Sequence, residues 1–132
     1  MVINTNKLNT ILQNFVTSVS NVQGAMIVSA QGLPLASHLP SEGAEQETVS
    51  AISATMSTVA ETIATEFNQG FVEQIYVESN QGLSIVTTCS TDAMLFVVAS
   101  GSNKGVLLLE IKRMIPEIKA ALEGRSRGNY VA

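Results

Sequence analysis

Apolar and polar positions alternate between two rhythms along the chain. The first is helical. Leu8, Ile11, Leu12, Phe15, Val16 and Val19 recur at three- and four-residue spacing, so they lie on one stripe, and Thr5 or Asn6 is placed to cap the start. Gly24 then opens a run, "AMIVSA", that is apolar at successive positions and predicts a strand covered on both faces. Gln31-Gly32 supplies a turn, and "LPLAS" returns as a short strand. Pro34 has no N–H to donate, so that strand belongs at a sheet edge. "HLPSEGAEQE" is a polar loop punctuated by Pro and Gly.

A long second helix is predicted from about Ala44 to Asn68, ended by Gly70 at its C-cap. Val49, Ile52, Met56, Val59, Ile63 and Phe67 form its apolar stripe, expected to face the sheet. Most other positions are small, Ser50, Ser53, Ala54, Ser57, Thr58 and Thr62 among them. Three strands follow. "FVEQIYVES" runs to a turn at Asn80-Gln81-Gly82, "LSIVTTC" to a turn at Ser90-Thr91-Asp92, and "AMLFVVAS" is nearly all apolar. The phrase Gln-Gly-Leu thus occurs at two hairpin tips, with nothing reactive in either. Gly101, Ser102 and Asn103 introduce a last helix with the stripe Leu107, Leu108, Ile111, Ile115, Ile118 and Leu122. Pro116 is expected to kink or split it.

The order is α-β-β-α-β-β-β-α, an α+β pattern in which each hairpin group is antiparallel. Strands one and five are the most apolar and should be central neighbours. That leaves strand two at one edge, blunted by Pro34, and strand three at the other. Strand three is long and free of proline, so its edge can accept a second chain.

Composition sharpens this picture. The 132 residues suffice for one domain, at 1–123, with "GRSRGNYVA" (124–132) expected to be a flexible tail. Charged residues are only 14% against 45% hydrophobic, which is low for a soluble monomer and directs some apolar surface toward another chain. No basic start with a long apolar run marks a signal peptide, and "AMLFVVA" and "VLLLEI" fall far short of a membrane span. The lone Cys89 cannot form an internal disulfide and fits a reducing cytoplasm. Residues 1–100 carry a balance of −7 and residues 101–132 one of +3, but the basic end lacks a nucleic-acid motif.

Catalytic chemistry finds little to stand on. His38 is expected in the loop after the second strand, and Cys89 reads as a packed hydrophobe. One His and one Cys do not make a metal site without carboxylates. Glu42, Glu45 and Glu47 lack calcium-loop spacing and suit a helix start. "GSNKG" lacks the phosphate-loop pattern. No catalytic, cofactor or metal site is therefore expected.

The element order, "NVQGAMIVSAQGLPLAS", "SNQGLSIVTT", "AMLFVVAS" and the Gly-led final helix together resemble the roadblock / dynein-light-chain family over about residues 5–123, most of all its bacterial stand-alone members. The resemblance implies a profilin-like roadblock architecture: a five-stranded antiparallel sheet with one long helix on one face and two on the other. It implies a dimer in which third strands pair across a two-fold axis and second helices lie side by side, with Val72, Gln74, Ile75, Tyr76, Val77, Ala54 and Thr58 at the interface. It also implies a non-enzymatic module that binds and regulates, in some members activates, a small Ras-like GTPase, with neither nucleic acid nor membrane insertion involved. Ser50, Ser53, Ser57, Glu61 and Thr65 are the candidate partner surface. A scaffold without effect on GTP hydrolysis, or a small-ligand sensor, are the alternatives.

Overall fold

The computed structural model describes residues 3–40, 45–101 and 103–123, so the expected tail at 124–132 and Glu42 lie outside the described residues. The elements run α1 (Thr5–Ser18), β1 (Val22–Ser29), β2 (Pro34–His38), α2 (Gln46–Glu66), β3 (Gln74–Ser79), β4 (Gly82–Ser90), β5 (Ala93–Ala99) and α3 (Lys104–Leu122). The five strands form one antiparallel sheet in the order β2-β1-β5-β4-β3. The two most apolar strands are its inner neighbours, because only a central strand is covered on both faces. Pro34 sits on the β2 edge, where a missing donor leaves no broken ladder.

The sheet carries two cores. On one face α1 and α3 pack together over Ala25, Ile27, Ile85, Leu95 and Val97, with Leu8, Leu12, Leu107, Ile111 and Ile118 fully buried above them. On the other face α2 covers Met26, Val28, Val86, Met94 and Phe96.

Several local expectations are corrected. Asn4, not Thr5 or Asn6, caps α1: its Oδ1 accepts from Lys7 N–H at 3.0 Å. Of the residues that introduce α3, Asn103 is the cap, its Oδ1 accepting from Val106 N–H at 3.1 Å. Pro116 does not split α3, which runs unbroken to Leu122. The proline is exposed, so the carbonyl it leaves without a donor faces water. His38 is the last residue of β2 rather than part of the loop. The strand expected from Phe71 begins only at Gln74. Before it, Val72 N–H donates to Glu61 Oε2 at 3.4 Å and Val72 C=O accepts from Thr88 Oγ1 at 3.0 Å, so this backbone is satisfied off the ladder.

Two residues in the left-handed region matter. Gly32 (φ 88°) closes the β1–β2 hairpin, and a Cβ there would lie 3.2 Å from the Ala54 Cβ, so α2 approaches this turn closely. The C-terminus of α2 turns at Asn68 (φ 54°) rather than at Gly70. Gln69 N–H donates to Ala64 C=O at 2.8 Å and Asn68 N–H to Thr65 C=O at 3.2 Å, the double closure of a Schellman motif.

Asn tolerates this conformation and alanine does not. We expect Asn68→Ala to lower stability by about 1 kcal/mol and Asn68→Gly to leave it equal or higher. The check is the urea midpoint at unchanged slope.

Candidate functional site

The surface that sets this fold apart lies on α2 and the β3 edge. The apolar stripe of α2 faces the opposite way from the expectation. Ser50 and Ser53 are 1% and 0% exposed and lie against the sheet with Val49 and Ala64, whereas Ile52, Val59, Ile63 and Phe67 are about half exposed or more. Met56 is the one further member of the stripe that packs partly against the core. The reason is space. Met26, Met94 and Phe96 already fill the layer from the sheet side, so only small side chains fit opposite them at interior density. The buried hydroxyls are satisfied within the helix: Ser50 Oγ donates to Gln46 C=O at 2.8 Å and Ser53 Oγ to Val49 C=O at 2.9 Å. Ser57 Oγ donates to Met94 Sδ at 3.1 Å.

Ser50 and Ser53 therefore do not form an outward partner surface. Of the residues expected there, Glu61 and Thr65 are exposed and Ser57 is half-buried. These three meet Ala54 and Thr58 in a groove of about 980 Å³ between α2 and the β4–β5 turn. Thr62, Glu66, Phe71, Thr88, Ser90, Thr91 and Met94 also line it. Ala54 and Thr58, expected at a dimer interface with the β3 residues, share this groove with Ser57, Glu61 and Thr65. Val72, Gln74, Ile75 and Tyr76 do come together, in a second, open groove of about 740 Å³ with Ile63 and Phe71. It joins the α2 stripe to the β3 edge.

That edge has a partly covered flank. The register aligns Val98, Ser84 and Val77 in one row across β5, β4 and β3. Val98, packed at the margin of the α2-side core, and Ser84 are only half-buried and Val77 is 44% exposed, so this end of the sheet is only partly covered. Lys104 Nζ lies 4.3 Å from the Tyr76 ring centre and 3.1 Å from Glu78 Oε1, an exposed arrangement of modest strength. Residues missed from the sequence are Ile52, Val59, Ile63, Phe67 and Phe71, the last 93% exposed. Their signal in the sequence is the stripe itself, whose periodicity does not say which neighbour covers it.

Cys89 is buried in the α1/α3 core, and burial pushes its thiol from the usual 9.0 to about 12, partly countered by Lys119. Burial and this upward push both disfavour the reactive thiolate. Among the described residues no group of three or more His, Cys, Asp and Glu is placed to hold a metal ion, and no helix is long and apolar enough to cross a membrane.

Residues 8–99 match the family model of the Roadblock/LC7 domain. The chain is 28% identical over 99 residues to an uncharacterized protein of Methanocaldococcus jannaschii, covering 75% of this chain and 86% of that one. It is similar in fold to a Roadblock/LC7 domain from Streptomyces avermitilis (21% identity, 87% of this chain and 97% of that chain, TM-score 0.78). It is also similar to Myxococcus xanthus MglB (15% identity, 90% and 97%, TM-score 0.83). Profilin II from Acanthamoeba castellanii shares the architecture (15% identity, 89% and 98%, TM-score 0.61).

Two measurements follow from the burial pattern. Ser53→Arg should destabilise the fold by about 3 kcal/mol or more, since it puts an unpaired charge under α2, whereas Thr65→Arg should stay within about 0.5 kcal/mol; urea unfolding reads both. For Cys89 the folded pKa is raised, so the unfolded chain loses its proton first as pH rises. The stabilisation is whole below pH 9 and falls by about 1.4 kcal/mol per unit between the two values, 9.0 and about 12. This alkaline loss should be absent from Cys89→Ala.

Proposed function

The chain belongs to the Roadblock/LC7 domain family, and from that premise we propose that it acts as a dimeric, non-enzymatic interaction module that binds and regulates a small Ras-like GTPase. The observation that carries the reading is the continuous apolar surface from Ile52, Val59, Ile63 and Phe67 on α2 to Ile75 and Val77 on β3. A chain with this little surface charge gains by covering such a surface. Pairing β3 with its copy would satisfy the free backbone groups of the edge and bring a second α2 toward the partly covered Val98–Ser84–Val77 row. A similar structure, described as MglB with tetrameric arrangement, lends weight to self-association through this fold.

The GTPase partner rests on the roadblock resemblance. On this reading the partner sits on the outer part of α2, where Ser57, Glu61 and Thr65 offer small or flexible side chains beside the apolar stripe. Activation would come from holding the GTPase's own loops in place, because the arginines of the chain are Arg113, Arg125 and Arg127 and none lies on α2. The place of action is the cytoplasm. The scaffold reading differs only in leaving GTP turnover unchanged.

We expect sedimentation equilibrium at micromolar concentration to give a dimer, and Ile63→Glu with Val77→Lys to give a folded monomer. A wild-type monomer across that range would overturn the reading. A GTPase captured by the dimer should hydrolyse GTP roughly 10- to 100-fold faster in its presence, short of the ~10³-fold or more of an arginine finger. Capture with unchanged turnover would leave the scaffold.

A further inference from the structure

Lysine and arginine are confined to one side of the described molecule. Between Lys7 and Lys104 the chain contains neither. Among the described residues the bases are therefore Lys7 on α1 and Lys104, Lys112, Arg113 and Lys119 on α3, and all five are exposed. These two helices share one face of the sheet. The same layer holds three carboxylates, Glu110, Glu117 and Glu123, against the five bases, a balance of +2. The layer of α2 carries Glu45, Glu47, Glu61 and Glu66 with no base, a balance of −4. The sheet thus divides a basic side from an acidic one.

The basic side has a second property. On α3, Val106 and Leu109 are 52% and 50% exposed, while Leu107, Ile111 and Ile118 turn into the core. At spacings of three and seven residues, Val106, Leu109 and Arg113 fall on one line of the helix, with Lys112 beside it. α1 contains no Asp or Glu, and its outer positions are amides and hydroxyls such as Asn6, Asn9, Thr10 and Gln13. Aliphatic side chains set among cations suit a lipid interface, where the aliphatics enter below the headgroups and Lys and Arg meet the phosphates. Single-stranded nucleic acid asks for stacking platforms instead, and the aromatic at the border of this face, Tyr76, has Lys104 over its ring at 4.3 Å.

The acidic side does not cancel the attraction. Each helix layer is about 10 Å deep, so the carboxylates of α2 lie roughly 20 Å from the outer surface of α3, against a Debye length of about 8 Å at physiological salt. In the proposed dimer, antiparallel pairing of β3 with its copy within one sheet makes the two-fold axis perpendicular to that sheet. Both α1/α3 layers would then face the same way and double the basic surface. We propose that the outer face of α1 and α3 docks on an anionic lipid surface, with Lys7, Lys112, Arg113 and Lys119 at the headgroups and Val106 and Leu109 just beneath them. The face is present in each protomer, so the docking does not depend on the GTPase reading. It leaves α2 pointing into water.

The test uses the full chain, which contains no tryptophan. Leu109→Trp therefore supplies one reporter on the docking face, and Ala51→Trp, at an exposed position of α2, supplies one on the opposite face. With vesicles of phosphatidylglycerol and phosphatidylcholine in equal parts, at about 0.1 M salt, the Leu109→Trp emission should shift to the blue and be quenched by brominated lipid. Ala51→Trp should show neither. Lys112→Glu with Arg113→Glu should weaken vesicle binding at least about 10-fold, and the milder pair Lys7→Gln with Lys112→Gln should weaken it less. Absence of binding, equal binding to pure phosphatidylcholine, binding that survives both charge changes, or quenching from Ala51→Trp instead overturns the proposal. So does retention on heparin without vesicle binding, since the face would then serve a soluble polyanion.

Discussion

The contact on which the rest depends is the close approach of α2 to the sheet through Ser50, Ser53 and Ala64. Large side chains of β1 and β5 occupy the layer, and the helix meets them with its smallest residues. Burying a hydroxyl is costly only when it is unsatisfied. Here each serine donates to the carbonyl one turn back, so the helix carries its own solution to its polar face. The consequence is geometric. With the small face inward, the bulky stripe has nowhere to go but outward.

That inversion links the fold to its proposed work. An exposed row of Ile, Val and Phe on a 21-residue helix would be a hazard on a free monomer. Beside it runs an edge strand without proline, and across the sheet from that edge runs a row of residues only partly covered. Three incomplete features adjoin along one side of the molecule. In the proposed dimer, a second copy related by a two-fold axis would complete all three at once, because an isologous contact returns the same strand and helix. The opposite face, closed by α1 and α3 over a continuous core, is the rigid part that holds this side in shape.

Much of the fold was legible. Strand order followed from which runs were apolar on both faces, and the Pro34 edge from a missing donor. What was not legible was which neighbour covers α2. Periodicity reveals that Val49, Ile52, Met56, Val59, Ile63 and Phe67 form a stripe, but a stripe is the same whether it meets the chain's own sheet or lies outside it. Ser50 and Ser53 looked like surface because serine usually is, and only the filled layer beneath them reverses that. The two grooves mix residues from α2, the approach to β3 and the β4–β5 turn, and no local pattern joins segments so far apart in sequence. Gly70 is the more obvious helix stop in the sequence because glycine is the commoner left-handed residue, although Asn68 also adopts that conformation.

The central claim is that the β3 edge and the outer face of α2 form one surface closed by a second copy of the chain. Amide hydrogen exchange along Gln74–Ser79 tests it most directly. An uncovered edge strand protects alternate amides, those that donate to β4, and leaves the others open to water. The account predicts that, at concentrations where the dimer forms, the outward amides become protected as well and the alternation disappears, returning on dilution. Rapid exchange at every second amide of β3, unchanged across the whole concentration range, would contradict it.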